Sequence, residues 1–102
     1  MGLALEEIKE KLRAVNYPEY GVNIIDLGLV YDIKILENKI EIEMTLTSVH
    51  SPFQEVIKTQ VKKALLYSCY NIDIVFTFSP PWSSIYITPE GKKHLKTIGY
   101  AF

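Results

Sequence analysis

The segment from Ile40 to Thr47 alternates strictly between apolar and polar residues, and this alternation constrains the fold more than any other feature of the sequence. The apolar positions are Ile40, Ile42, Met44 and Leu46. Successive side chains of a β-strand point to opposite faces of a sheet, so the segment predicts a strand with one buried face. Such a strand is not stable alone, and the rest of the chain must supply partner strands and a covering layer.

Two other segments place apolar residues at every second position, which also predicts strands. The first has apolar residues at Leu29, Tyr31, Ile33 and Ile35, and the second at Ile72, Ile74, Phe76 and Phe78. Glu37, Asn38 and Lys39 lie between the first strand and the 40–47 strand, a connection short enough to predict a hairpin, since Asn38 tolerates a positive φ. Pro80 and Pro81 cannot continue the third strand inside a sheet.

Helical spacing accounts for three further groups of apolar residues. The first helix carries Leu5, Ile8, Leu12 and Val15 and should stop before Asn16-Tyr17-Pro18, because Pro18 disfavours helical geometry in the residue before it. A second helix is predicted to begin with Ser51 as N-cap, Pro52 at its first position and Gln54 completing a capping box. Its predicted buried residues are Phe53, Val56, Ile57, Gln60, Val61, Ala64 and Leu65. The last helix begins at Thr88–Pro89, turns Leu95 and Ile98 inward, and ends at Gly99.

The order of these elements predicts the architecture. The second helix joins the second strand to the third, so these two strands can lie parallel through a right-handed crossover. We therefore expect an α/β fold with a small mixed three-stranded sheet, a hairpin plus a parallel crossover strand, and helices packed mainly on one face. A chain of 102 residues is the size of one compact domain, so residues 1–102 are expected to form a single domain.

Charge and cysteine content exclude several classes of protein. Eleven Lys and Arg residues stand against twelve Asp and Glu residues, so no global field favours nucleic acid or an anionic membrane. No apolar run approaches the roughly 20 residues of a membrane span. The only cysteine, Cys69, cannot by itself form an internal disulfide or a four-cysteine metal or cluster site, and is more typical of a small packing residue than of a nucleophile. We expect a cytoplasmic protein.

Three segments could carry function. Thr47–Pro52 joins a strand to a helix N-terminus, where unpaired N–H groups stabilise an anion or a thiolate; alternatively, Ser51 is only a cap and His50 an exposed loop residue. Asp26 lies in an apolar run and is either a site acid or metal ligand, or caps a turn through backbone N–H groups. Trp82, in a Pro-Pro-Trp loop, is either a binding anchor or a lid on the core.

Together these segments resemble the metal–sulfur cluster assembly domain family, which includes SufT-like and PaaD-like proteins. Residues 23–32 look like its signature, residues 43–47 like its second strand, and Pro80-Pro81-Trp82 like its Asp-Pro-Pro-Trp loop, with Ser79 where Asp is usual. Pro18-Glu19 matches an Asp-Pro-Glu element, with Tyr17 where Asp is usual. The resemblance runs from about Pro18 to Gly99.

The resemblance implies a role in iron–sulfur protein maturation, or in supporting the assembly of a multicomponent oxygenase. The family's usual reactive residue is a Cys in a Thr-x-x-x-Cys-Pro turn, and Ser51 stands in its place here. A serine hydroxyl is a hard, neutral group that binds iron or sulfide poorly. Cys69 should lie roughly 20 Å away, beyond the intervening helix, and should not substitute for the missing thiol. The residues expected to form the functional turn and its surroundings are Glu19, Asp26, Thr47, His50, Ser51 and Trp82.

Three hypotheses follow. The first is an accessory protein, not an enzyme and without a resident cofactor, that binds cluster-assembly or client proteins. The second is transient binding of iron or of an iron–sulfur cluster through His50, Asp26 and thiols of a partner; a homodimer would bring two His50 turns together. The third is a hydrolase or transferase that acts through Ser51 with His50, which is disfavoured because adjacent residues rarely point at each other.

Overall fold

A computed structural model describes residues 4–66, 68 and 70–100 of the chain. Its elements follow the predicted order. They are α1 (Leu5–Leu12), β1 (Val30–Ile35), β2 (Lys39–Met44), α2 (Gln54–Ala64), β3 (Asn71–Phe76), a single 3₁₀ turn (Ser84–Tyr86) and α3 (Pro89–Thr97). No helix in the described ranges is long and apolar enough to cross a bilayer.

The sheet has the strand order β1-β2-β3, and its topology confirms the predicted mixed sheet. β1 and β2 are antiparallel and β2 and β3 are parallel, so that Ile42 lies between Ile33 and Ile74. The Leu36 N–H donates to the Lys39 carbonyl at 2.8 Å and closes the predicted hairpin. The register shifts between Val30 and Asp32, which gives β1 a bulge near its start.

The apolar face of β2 lies at the centre of the core. Its residues Ile40, Ile42 and Met44 are fully buried in one cluster with side chains from all three helices. These helix residues are Ile8, Leu12, Ile57, Val61 and Leu95. The helices therefore cover the sheet face that the alternation marked as buried. The opposite face of β2 carries Lys39, Glu41 and Glu43, none of which is buried among the described residues, and we call it the open side of the sheet.

The predicted start of α2 is wrong. The helix begins at Gln54, two residues later than the capping signal indicated, and Phe53 occupies the N-cap position without a side-chain cap. Ser51 does not cap the helix because its hydroxyl is hydrogen-bonded to Tyr17, a residue distant in sequence. The buried stripe of α2 is also narrower than predicted, because Val56 and Gln60 are exposed.

The predicted start and end of α3 are confirmed. Thr88 Oγ1 accepts from the Gly91 N–H at 3.0 Å, and Pro89 occupies the first turn. Gly99 follows the helix with a φ of 102°, the left-handed conformation that glycine adopts without strain. Leu95 is buried as predicted, but the inward orientation expected of Ile98 is wrong: Ile98 is the C-cap residue and is about half exposed.

Candidate functional site

The turn after β2 is tied to the core through the phenol of Tyr17. The Tyr17 hydroxyl lies 3.1 Å from Thr47 Oγ1 and 2.7 Å from Ser51 Oγ, so it bridges the two ends of the turn. A phenol carries one proton, and Tyr17 therefore donates to one hydroxyl and accepts from the other. Tyr17 has no exposed surface, which places this bridge at the boundary of the core.

Tyr17 itself is held by the segment that surrounds it. Its backbone N–H donates to the Val22 carbonyl at 2.9 Å, and its carbonyl accepts from the Gly21 N–H at 2.8 Å. Its ring makes a T-shaped contact with Phe53 at a centroid distance of 5.5 Å and stacks on Tyr20 at 6.2 Å. The bridging hydroxyl is thus fixed by backbone and ring contacts, and the turn is pre-organised by a rigid partner.

The turn presents a different surface to solvent. Val49 is 63% exposed, and Ser48 and His50 are also exposed. Within the turn, the His50 N–H donates to Ser48 Oγ at 3.1 Å. Ser51 takes Tyr17 rather than the neighbouring imidazole as its hydrogen-bond partner, so the turn does not have the serine–histidine geometry of a nucleophile and its base. We call the exposed residues Ser48, Val49 and His50 the turn surface.

Asp26 holds together two distant parts of the chain. Its carboxylate accepts from Asn23 Nδ2 at 2.8 Å and from Thr88 Oγ1 at 3.1 Å, and Arg13 Nε lies 4.0 Å away. The side chain is 17% exposed. Its carboxylate partners are side chains, not the backbone N–H groups expected of a simple turn cap. One carboxylate oxygen, Oδ2, ties Asp26 to Asn23 within the same loop, and the other, Oδ1, joins this loop to Thr88 at the start of α3.

Two glycines allow the segment 23–28 to pack directly against the chain around α3. A Cβ added to Gly91 would lie 2.7 Å from the Asp26 carbonyl oxygen, closer than real Cβ contacts come. A Cβ added to Gly28, which has a φ of 73°, would collide with the backbone of Tyr86. Within the family-like segment, residues 23–32, the glycine at position 28 is therefore required by close backbone packing.

Trp82 reaches the same segment from a loop. Its Nε1–H donates to the Leu27 carbonyl at 2.7 Å, and its half-buried ring packs against the core. The indole thus covers the core and is hydrogen-bonded to it.

Glu19 lies elsewhere, exposed in the turn that follows Tyr17. Partial burial and then the negative charge of Glu19 raise the pKa of Tyr20 above its ordinary value.

Four of the predicted residues therefore fall into two groups, and Glu19 and His50 belong to neither. Thr47 and Ser51 meet at Tyr17, a residue that the sequence interpretation did not select, whereas Asp26 and Trp82 converge on the segment 23–28. Among the described residues, no three His, Cys, Asp or Glu side chains form a group that could hold a metal ion. Cys69 lies outside the described residues. One feature of the sequence could have identified Tyr17. Tyr17 stands where the family motif has Asp, and its partner Ser51 stands where the motif has Cys.

Comparisons with known proteins agree with this architecture. The chain is 41% identical over 81 residues to the Fe-S protein maturation auxiliary factor YitW of Bacillus subtilis, covering 76% of this chain and 79% of that protein. It is 35% identical over 69 residues to the Fe-S protein maturation auxiliary factor SufT of Staphylococcus aureus, covering 65% and 78%. A crystal structure of a DUF59 domain from Bacillus anthracis superposes with a TM-score of 0.84 at 36% identity, covering 89% and 90%.

The family of iron–sulfur cluster assembly proteins matches residues 5–69, which include α1, the segment 23–28, the hairpin, the turn and α2. This match covers well over half of the chain, and the curated relatives align across most of their own length. The chain belongs to the iron–sulfur cluster assembly protein family.

Proposed function

We propose that this protein is an auxiliary factor in iron–sulfur protein maturation that acts by binding assembly or client proteins. Its relatives are named maturation auxiliary factors, which supports the general role. The observation that carries the mechanism is the 2.7 Å contact between Ser51 Oγ and the buried Tyr17 hydroxyl. Because of this contact, the hydroxyl at the expected reactive position points toward the core and fixes the end of the turn.

The chemistry of the turn supports protein binding over cluster binding. A thiolate at this position would be a soft ligand, whereas the Ser51 hydroxyl is hard, neutral and already hydrogen-bonded. His50 is the one imidazole of the turn, and a single exposed imidazole makes a weak site for iron. Iron or a cluster, as cargo, would need further ligands from a partner protein.

The turn surface suits a protein contact. Val49 exposes an apolar side chain on a turn whose two ends are fixed by Tyr17, so its binding costs little ordering entropy. His50 adds a donor or acceptor beside it. A rigid apolar residue with a polar neighbour is a common form of contact residue at protein interfaces.

The first test is an anaerobic titration of the purified protein with ferrous iron and sulfide, followed by desalting, visible absorbance and metal analysis. We expect no retained chromophore. A stoichiometric chromophore that is lost in a His50→Ala variant would instead support transient cluster binding through His50 and ligands from a second copy.

The second test is complementation of a bacterial strain that lacks its own auxiliary factor of this family, with the activity of an iron–sulfur enzyme as readout. Val49→Asp should abolish complementation while leaving the protein folded. Leu36→Asp is the matched control, because Leu36 is also exposed but lies on the hairpin, at the opposite end of β2. Equal complementation by both variants would contradict a role for the turn surface.

A further inference from the structure

Among the described residues, no strand pairs with the outer edge of β3. The Asn71 N–H donates to the Asn38 carbonyl at 3.0 Å, and the Thr77 N–H donates to the Met44 carbonyl at 2.9 Å. In a parallel ladder alternate residues bond to the same neighbour, so the odd-numbered residues from 71 to 77 face β2. The N–H and C=O groups of Ile72, Ile74 and Phe76 consequently point away from the sheet.

The opposite edge of the sheet is protected. On β1, the Ile33 N–H donates to the Asp32 carboxylate at 2.9 Å, so this outward donor is already occupied. The bulge between Val30 and Asp32 further disturbs the edge. Both are devices by which proteins prevent another strand from pairing.

β3 lacks such devices. Its sequence from Asn71 to Phe76 has neither Lys nor Pro, and no side chain in the described part of the structure accepts from the N–H groups of Ile72, Ile74 or Phe76. Val75 is 42% exposed on the strand. An exposed, largely apolar edge strand is a ready template for a further strand.

On the side of the sheet that the helices cover, the edge is apolar. Ile72, Ile74 and Phe76 are only half buried there. A cavity of about 290 Å³ lies beside the start of β3, between the end of α2 and the strand. Its apolar lining is Leu65, Leu66 and Ile72, of which Leu66 is 64% exposed, and Lys62, Tyr70 and Asn71 complete it. A strand added at this edge would bury apolar side chains on this side.

On the open side of the sheet, the edge is acidic. Asp73 lies directly beside Glu41 in the parallel register, and Val75 lies beside Glu43. Lys39 Nζ lies 3.9 Å from both the Glu41 and the Asp73 carboxylates, so one cation serves two acids. Like charges opposite each other destabilise a sheet, and a strand that brings cations to this side would relieve the repulsion.

We propose that the edge of β3 binds an extended segment of a partner protein in which apolar residues alternate with Lys or Arg. The segment adds a fourth strand, with its backbone paired to Ile72, Ile74 and Phe76, its apolar side chains beside Leu66 and its cations beside Asp73. This inference goes beyond the proposed function because it concerns a surface distinct from the turn. A second copy of β3 fits less well, since it would bring another Asp73 to the acidic side.

The test is an NMR titration of the isotope-labelled protein with a heptapeptide that alternates Lys and Val and has blocked termini. The peptide is added to about 1 mM so that weak binding is detected. A peptide with Glu in place of Lys is the matched control. We expect the Lys peptide to shift the β3 resonances and to slow amide exchange about tenfold at Ile72, Ile74 and Phe76. Added salt should weaken the effect, because the selectivity is electrostatic.

Two variants keep the result interpretable. Ile74→Pro removes an outward donor that the β2–β3 ladder does not use, so the variant should fold and lose peptide binding. Asp73→Lys leaves the backbone unchanged and should shift the preference toward the Glu peptide. Val49→Asp should leave peptide binding intact, which separates this proposal from the function proposed for the turn surface.

The proposal is overturned if both peptides bind equally, if neither binds, or if the shifts map to the β1 edge or to the turn. Protection of Ile72, Ile74 and Phe76 that rises with protein concentration in the absence of peptide would also overturn it, because the occupant would then be a second copy of the chain.

Discussion

Replacing Tyr17 by Phe should loosen the turn after β2 without unfolding the protein. The ring stays in place, so its contact with Phe53 is kept and no cavity forms, but the hydroxyl that bridges Thr47 and Ser51 is lost. Each hydrogen bond contributes a net of about 0.5–1.5 kcal/mol. Both partner hydroxyls are half-buried and can turn to water, so we expect a total loss of about 1–2 kcal/mol. For a domain of this size that loss lowers Tm by roughly 5–15 °C.

The assay is urea unfolding followed by circular dichroism, with Tyr86→Phe as the matched control because the Tyr86 side chain is exposed. Ser51→Ala should cost about half as much as Tyr17→Phe, since it breaks one of the two hydrogen bonds. The double variant should cost less than the sum of the two single variants, because both remove the same contact. Strict additivity, or a loss for Tyr17→Phe equal to that of the control, would refute the bridge.

Three further predictions follow from other contacts. Trp82→Phe should lower the free energy of unfolding by about 1–2 kcal/mol in urea melts, because it loses the 2.7 Å indole hydrogen bond and part of the ring. Gly91→Ala should destabilise the protein by about 1–3 kcal/mol by differential scanning calorimetry, because the new Cβ would lie 2.7 Å from the Asp26 carbonyl oxygen; an unchanged Tm would contradict the close packing. Partial burial and then the negative charge of an ionised Tyr86 raise the pKa of Tyr31. The contribution of Tyr31 to stability is therefore complete below the unfolded pKa of about 10 and is lost as the pH rises through the folded pKa. Tyr31→Phe should reduce this loss of stability in thermal melts recorded at alkaline pH.

The sequence predicted features that depend on periodicity, and missed those that depend on distant contacts. The alternation of Ile40, Ile42 and Met44 identified the central strand because burial on one face imposes a period of two. The capping signal at Ser51 failed because a residue 34 positions away competes for its hydroxyl. A local motif carries no information about such a competitor.

The same reason limited the interpretation of Asp26. The sequence identified a carboxylate in an apolar run as unusual and in need of a partner. One of its partners, Thr88, lies 62 positions further along the chain. The sequence could predict that a partner exists, but only the fold identifies it.

The packing of the segment 23–28 bears on the order in which the chain folds. This segment is complete only when residues 82–91 have closed on it, through Trp82, Thr88 and Gly91. Contacts between residues so far apart form late, because a long loop must close first. During synthesis the segment must wait until residues 82–91 have left the ribosome. A nascent chain that pauses near residue 69 would therefore hold its family-like segment open, in a form accessible to chaperones and proteases.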